Sequence, residues 1–591
     1  MPGLRDIVDE AIEIDVLVVG SEGAGARACI AAHDAGATVL CVTKGFVGKT
    51  GATLTADADV DVDSRSIEEL WGLEGTNPDD SKQAFFEDMV QEGDFMADQR
   101  LVQVHVEDAP ARVKEFTDWG ARIDKLTHAP GHRYPRGIWI EGPEWARVLT
   151  KEIRKRKIGL IECFMMTDLL TRDGQCVGII GLDFRNGKTI AIEAKATILC
   201  TGGAMRMYKL TTAPEELTGD GLAAAYRAGA ELMDMEFPMF LPYVMMMPAA
   251  LYGVDFTYLL SAYLDAHSLN KLGERHMVKW DPVRFERTTR DVNSIGQMFE
   301  VLEHRGTPND GTWLSLTHIP RNVMEAAKLH LPESMGRWQY GAFKMLDFLP
   351  DITKDAIETA PACHFWNGGI RITEHCETTV PGLYAAGEGS GGIHGSNRVS
   401  GNALTMTQVW GPRAGNAAAK FAKQHGGLEA DASQAEAYKN KITQVLSRDS
   451  GEDAVAIRNR IRQLSHLYLN AVRKGDWIAK VIDELAQMRE AASRVAIRNP
   501  GLRQFNQEWV EALQLENLLT CMEAVSNASI MREESRGACY RPEFPETNGE
   551  QWLKNIIVRR SGDRMTLRTE PVVVTSFEPP RGKYKYGTMG V

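Results

Sequence analysis

Residues 14 to 42 constrain the fold more than any other stretch. An apolar run, Ile14-Asp-Val-Leu-Val-Val19, ends on Gly20-Ser-Glu-Gly23-Ala-Gly25, continues through small residues to Ala35 and meets a second apolar run, Ala37 to Val42. That order predicts a buried strand, a tight turn, a helix and a second strand. A helix starting at such a turn offers free backbone N–H groups and the positive end of its dipole, which suits a pyrophosphate. The pattern therefore predicts an open α/β sheet with a dinucleotide at the carboxyl ends of its strands. Gly20, Gly23, Ala24 and Gly25 build the turn, while Glu22 takes the place of the middle glycine of G-x-G-x-x-G, with Gly23 beside it for the close approach. The second strand ends on Thr43-Lys44 instead of an acid for a ribose, which argues against NAD.

The strand-to-glycine junction recurs. Ala196 to Cys200 runs into Thr201-Gly202-Gly203, followed by Thr218-Gly-Asp220-Gly, and Val380 to Ala386 runs into Gly387-Glu388. Glu388, at a strand's carboxyl end, is placed to bind a sugar-like chain. The glycines after it hold side chains back from a flat cofactor, and Arg398 enters the same space, which suggests an anionic substrate. Residues 45 to 63 are rich in Gly, Thr and Ala and supply more backbone for a phosphate and a ring. Junctions this far apart predict one discontinuous nucleotide domain.

A chain of 591 residues exceeds one hydrophobic core, so two to four domains are expected. No run approaches the roughly 18 apolar residues of a membrane span, and the net charge of -13 argues against nucleic acid. Nine cysteines without a Cys-x-x-Cys pair speak against an internal iron–sulfur cluster, a zinc site or a disulfide framework; no metal is expected. Reduced thiols and a start without a secretory plan favour a cytoplasmic protein. Ile457, Ile461, Leu464 and Tyr468 recur at helical spacing, as do Ile478, Val481, Leu485 and Met488, which predicts two packed amphipathic helices. The last 41 residues hold eight basic against three acidic side chains, either a partner surface or a solvated face.

The motifs VVGSEGAGA at 18, TKG at 43, TGG at 201, TGDG at 218, LGERHM at 272, TTRD at 288, HFWNGGI at 364, LYAAGEGSGGIHGSNRVSGNAL at 383 and EESRGACYR at 533 together resemble the FAD-containing subunit of the succinate dehydrogenase and fumarate reductase family. They run in family order over almost the whole chain. The resemblance implies an α/β fold: a discontinuous Rossmann-like FAD domain at 1–235 and 345–420, an inserted α+β capping domain at 236–344, a helical domain at 421–545 and a terminal segment at 546–591. It adds Thr50, Gly51, Ala52, Ala403 and Leu404 to the FAD contacts. It also implies Arg290 as proton donor, His364 as substrate-binding histidine and Arg398 as carboxylate clamp. Electrons would pass through a separate iron–sulfur subunit, leaving this chain peripheral to a membrane.

Several departures redirect the expected substrate. Where the family has Phe-His-Pro-Thr this chain reads Phe240-Leu241-Pro242-Tyr243, followed by Met245-Met-Met247, so the contact to a second carboxylate is gone. Where the family has Thr-Glu-Gly-Cys-Arg, with its proton path, the chain reads Tyr258-Leu259-Leu260-Ser261-Ala262. Leu, Met and Tyr there predict an unsaturated acid with an apolar or aromatic tail in place of fumarate. Tyr258, Tyr263, Asp265 and His267 are candidates for another proton path. Gly51 falls where covalent members carry a histidine, so noncovalent FAD is expected. Three functions stay open: a reductase or dehydrogenase of such an acid, a catalytic flavoprotein resembling adenylylsulfate reductase, and a flavoprotein that only passes electrons.

Overall fold

The computed structural model describes residues 3–587 apart from 57–58, 130, 256–257, 259–260, 262–263 and 325–350. Its centre is the strand Glu10–Val19, whose Val16, Leu17 and Val18 are fully buried, the mark of a parallel strand covered on both faces. It lies parallel to Val39–Thr43 on one side and Lys188–Leu199 on the other, and Gly159–Glu162 extends the sheet beyond Val39–Thr43. The first half of Lys188–Leu199 also carries an antiparallel meander, Phe164–Arg172 with Gln175–Asp183. Its last residues receive the short strand Leu383–Ala385 in parallel, with Leu383 opposite Thr197. The carboxyl ends of these parallel strands, near residues 19, 43, 199 and 385, therefore share one rim. The helix Gly23–Asp34 covers one face and meets the helix Asn402–Gln424 at backbone distance, since a Cβ at Gly415 would come within 2.3 Å of the Ala28 carbonyl oxygen.

A second, antiparallel sheet roofs that rim. Its order is Pro238–Met245, Ile357–Trp366, Thr312–Ser315 and His267–Leu269, with the helix Arg290–Leu302 against it. The boundary expected between 344 and 345 lies outside the described residues. Beyond it, the helices Ala454–Tyr468 and Gly475–Ser493 pack as their periodicity predicts, and both also lean on Gln507–Met531. The segment after this long helix is tied back by a fully buried ionic knot: Arg532 pairs with Glu236 at 2.6 Å and Glu534 at 2.8 Å, and Arg536 pairs with Glu534 at 2.7 Å. In the basic terminal stretch Arg568 is paired with Glu231 at 2.9 Å. Among the described residues no helix is long and apolar enough to cross a membrane.

Candidate active site

Between the strand rim and the roof lies a cavity of about 490 Å³. Gly20, Glu22, Gly23, Ala24, Thr43, Lys44, Thr50, Gly51, Ala52, Gly202, Asp220, Glu388, Ala403 and Leu404 all line it, together with Arg290, His364 and Arg398. Two of the sequence-derived residues stand behind the lining. A Cβ at Gly25 would meet the Gly20 carbonyl oxygen at 1.9 Å, so this glycine lets helix and strand touch. Gly203 sits against Trp366, where a Cβ would meet the tryptophan Cβ at 2.6 Å, and its N–H donates to Glu388.

The polar end of the cavity is fixed from several elements. Lys44 donates to Asp220 at 2.8 Å and to Thr218 Oγ1 at 2.6 Å, and Asp220 also accepts from Asn517 at 2.9 Å. Glu388 Oε1 accepts the Trp366 N–H at 3.1 Å, and burial pushes this carboxyl up to about 7. Glu22 lies just ahead of the helix Gly23–Asp34, and its side chain folds over Gly51. Gly51 has φ +96°, and a Cβ there would stand 2.4 Å from Glu22 Cγ. Burial raises the Glu22 carboxyl to about 8, against N–H groups of Leu54 and Thr53 that favour its charged form.

The other end is cationic. Arg290 opens the roof helix and is 6 % exposed; its Nη2 donates to the Arg398 carbonyl oxygen at 3.2 Å. Arg398, 4 % exposed, lies 4.6 Å above the Phe365 ring and gives Nη1 to the Val399 carbonyl oxygen at 2.9 Å, while its Nε is unpartnered. Among the described residues neither guanidinium forms an ion pair. Burial, then the neighbouring Arg290, lowers Arg398 to about 9. His364 shares a 2.7 Å hydrogen bond with Thr212 through Nδ1, and burial with the two arginines holds the ring down to about 3, hence neutral. Two buried, unpaired cations beside a neutral imidazole form a site for an anion.

Sequence reasoning missed Thr212 and Asp255. Thr212 reaches the site because Thr211 bridges to Cys363 on the adjoining strand, a pairing with no local signal. Asp255 lines the cavity with its carboxyl raised by burial. The expected apolar wall needs correction. Leu241 does line the cavity, but Tyr243 and Met245 enter a separate roof core, Met246 packs on the sheet, and Met247 is exposed; Leu259 lies outside the described residues. Of the proton-path candidates Tyr258 faces the cavity, His267 stacks on His318 at 3.6 Å, Asp265 is exposed, and Tyr263 lies outside the described residues.

The cradle fits a flavin dinucleotide in this structure: backbone turns at two helix starts, a buried carboxyl at a strand end, and a bare Gly51 wall. Comparison with known proteins agrees. The family model described as FAD binding domain matches residues 15–404, and the one described as fumarate reductase flavoprotein C-term matches 458–585. One of the subunits of the fumarate reductase (CoM/CoB) of Methanothermobacter marburgensis is 35% identical over 93% of this chain and 98% of its own. The solved Mycobacterium smegmatis Sdh1 in complex with UQ1 superposes with a TM-score of 0.86 at 29% identity, covering 96% of both chains. Adenylylsulfate reductase from Archaeoglobus fulgidus shares the fold, with a TM-score of 0.75 at 19% identity over 98% of this chain and 99% of its own. The chain therefore belongs to the fumarate reductase and succinate dehydrogenase flavoprotein family, FAD-dependent oxidoreductases that act on CH–CH groups.

Proposed function

We propose that this protein reduces the carbon–carbon double bond of an unsaturated monocarboxylic acid with an apolar or aromatic tail. The carrying observation is the pair of unpaired buried cations, Arg290 and Arg398, in a cavity whose lining also holds Leu241, 3 % exposed, and Asp255. Besides the arginines and His364, the only cation lining the cavity among the described residues is Lys44, which is engaged by Asp220. One carboxylate is thus served at Arg398, and a second would meet Leu241, Val254 and the Asp255 carboxyl.

FAD, when bound, supplies hydride chemistry at its ring; Glu388, Lys44 with Asp220, and the turns at Gly20 and Ala403 would hold it, noncovalently because Gly51 carries no side chain. Arg398 orients the substrate carboxylate. With the Thr212 hydroxyl donating to Nδ1, His364 keeps its proton on Nε2 and gives it as a hydrogen bond to the carbonyl on which negative charge develops. Arg290 delivers the proton to the carbon beside that carbonyl. An arginine serves as an acid only in a desolvated, cation-crowded site, and both conditions hold here. One relative is named as a subunit, which supports a partner protein; the partner proposed here is an iron–sulfur protein that feeds electrons, with this chain cytoplasmic and peripheral to a membrane.

The test is substrate preference with a reduced dye as donor. Burying a second carboxylate against Leu241 and Asp255 costs several kcal/mol, roughly a thousandfold in affinity. Cinnamate-like or long-chain enoates are therefore expected to show the higher kcat/KM. A higher kcat/KM for fumarate than for every such compound refutes the proposal.

A further inference from the structure

The helix Lys82–Glu92 ends on a carboxyl that the preceding chemistry does not use. Its last turn is pinned to the loop that carries Arg398: Gly93 accepts the Ser396 N–H at 3.1 Å, and Glu92 Oε1 accepts from Asn397 Nδ2 at 2.9 Å. Arg290 holds the next residue of that loop, through the Arg398 carbonyl oxygen at 3.2 Å. Glu92 and Arg290 thus attach to consecutive residues, with Glu92 behind the cavity and Arg290 in its lining. Three buried oxygens around this point accept no hydrogen bond: Glu92 Oε2, Asn397 Oδ1 and Asp291 Oδ1. Glu92 also abuts Gly131, which is partly exposed; a Cβ there would lie 3.5 Å from the Glu92 carboxyl carbon.

We propose that Glu92 is the proton store that reloads Arg290, replacing the Thr-Glu-Gly-Cys-Arg path that this chain lacks. The idea rests on the reading of Arg290 as proton donor. A guanidinium N–H bond breaks as the new C–H bond forms on the substrate. The neutral guanidine then takes the Glu92 carboxyl proton through a water that donates to the orphaned oxygens, and the Glu92 carboxylate regains a proton from solvent at Gly131. One proton enters per turnover, alongside the hydride. The store is filled at neutral pH, because burial and then the Asp291 carboxylate push the Glu92 carboxyl up to about 8, with Arg290 and His132 opposing and Asp94 adding to the rise.

The experiment compares the full-length, FAD-loaded parent with Glu92→Gln and Glu92→Asp, using a reduced dye and an enoate. Glu92→Gln is expected to lower kcat about a hundredfold and to abolish the fall in rate as pH rises through about 8. FAD content and the enoate Kd, read from the flavin spectrum, should not change, and Glu92→Asp should recover part of the rate together with the pH limb. A Glu92→Gln rate within about twofold of the parent with the limb intact overturns the relay. A matching loss of FAD or substrate binding overturns it too, since that marks a structural role. If instead the parent turns over no enoate at all, the reading of the reaction has failed, and an infrared difference between parent and Glu92→Gln decides the store. A protonated-carboxyl band at neutral pH that vanishes in mild alkali supports it, and absence of the band at neutral pH overturns it.

Discussion

Arg398 and Leu241 carry the proposed substrate preference, and each is readable from sequence to a different depth. Arg398 lies in a glycine-dense loop whose chemistry is local, and the structure buries it over Phe365 with its Nε unpartnered. Arg398→Ala is expected to abolish turnover, at least about a hundredfold, while the flavin content of the purified protein stays at the parent level. Near-parental turnover, or flavin lost in step with activity, would count against the clamp. The methionines after Leu241 do not form the expected wall, for a reason that no strand pattern contains. The strand Pro238–Met245 shifts register between Leu241 and Val244, and Tyr243 sits at φ +60°. One extra residue reverses the alternation of side chains. Leu241, Val244 and Met246 consequently share one core while Tyr243 and Met245 turn into another.

At the scale of elements, strands ending in glycine were plain because a run buried on both faces is apolar throughout, as Val16 to Val18 and Ile198 to Leu199 are. The helices Ala454–Tyr468 and Gly475–Ser493 were plain because each buries one stripe. The helix they share, Gln507–Met531, is not: Trp509, Val510, Leu515, Leu518, Leu519, Cys521 and Ala524 are buried around its circumference, so no apolar face stands out from a polar one. Its neighbours come from the helical region, from the helix Asp220–Arg227 and from the strands Lys554–Ser561 and Arg564–Pro571. That enclosure predicts that Leu518→Ala, at a side chain 1 % exposed, costs about 3 kcal/mol of unfolding free energy in a denaturant titration. Leu502→Ala, at a side chain 55 % exposed, should cost less than about 0.5 kcal/mol. Equal losses would show that the long helix is not the centre of its region.

For the whole molecule, the proposed noncovalent hold on FAD by many segments predicts that it behaves as a reversible ligand. Acid precipitation is expected to leave the flavin in the supernatant, and added FAD to raise Tm with its concentration, the stabilisation reaching about 2.7 kcal/mol at a hundredfold excess over Kd. Flavin that stays with the precipitate would refute noncovalent binding. The same layout bears on how the chain matures. Asp61 donates its N–H to Thr405 Oγ1 at 2.7 Å across 344 positions, and the last parallel strand, Leu383–Ala385, docks beside one laid down near residue 197. A ribosome has therefore released well over half of the polypeptide before the rim has its final member, and until then the earlier strands expose an open edge. Loading with FAD becomes a late event in biogenesis, and a nascent chain that stops short of residue 383 has nowhere to keep it.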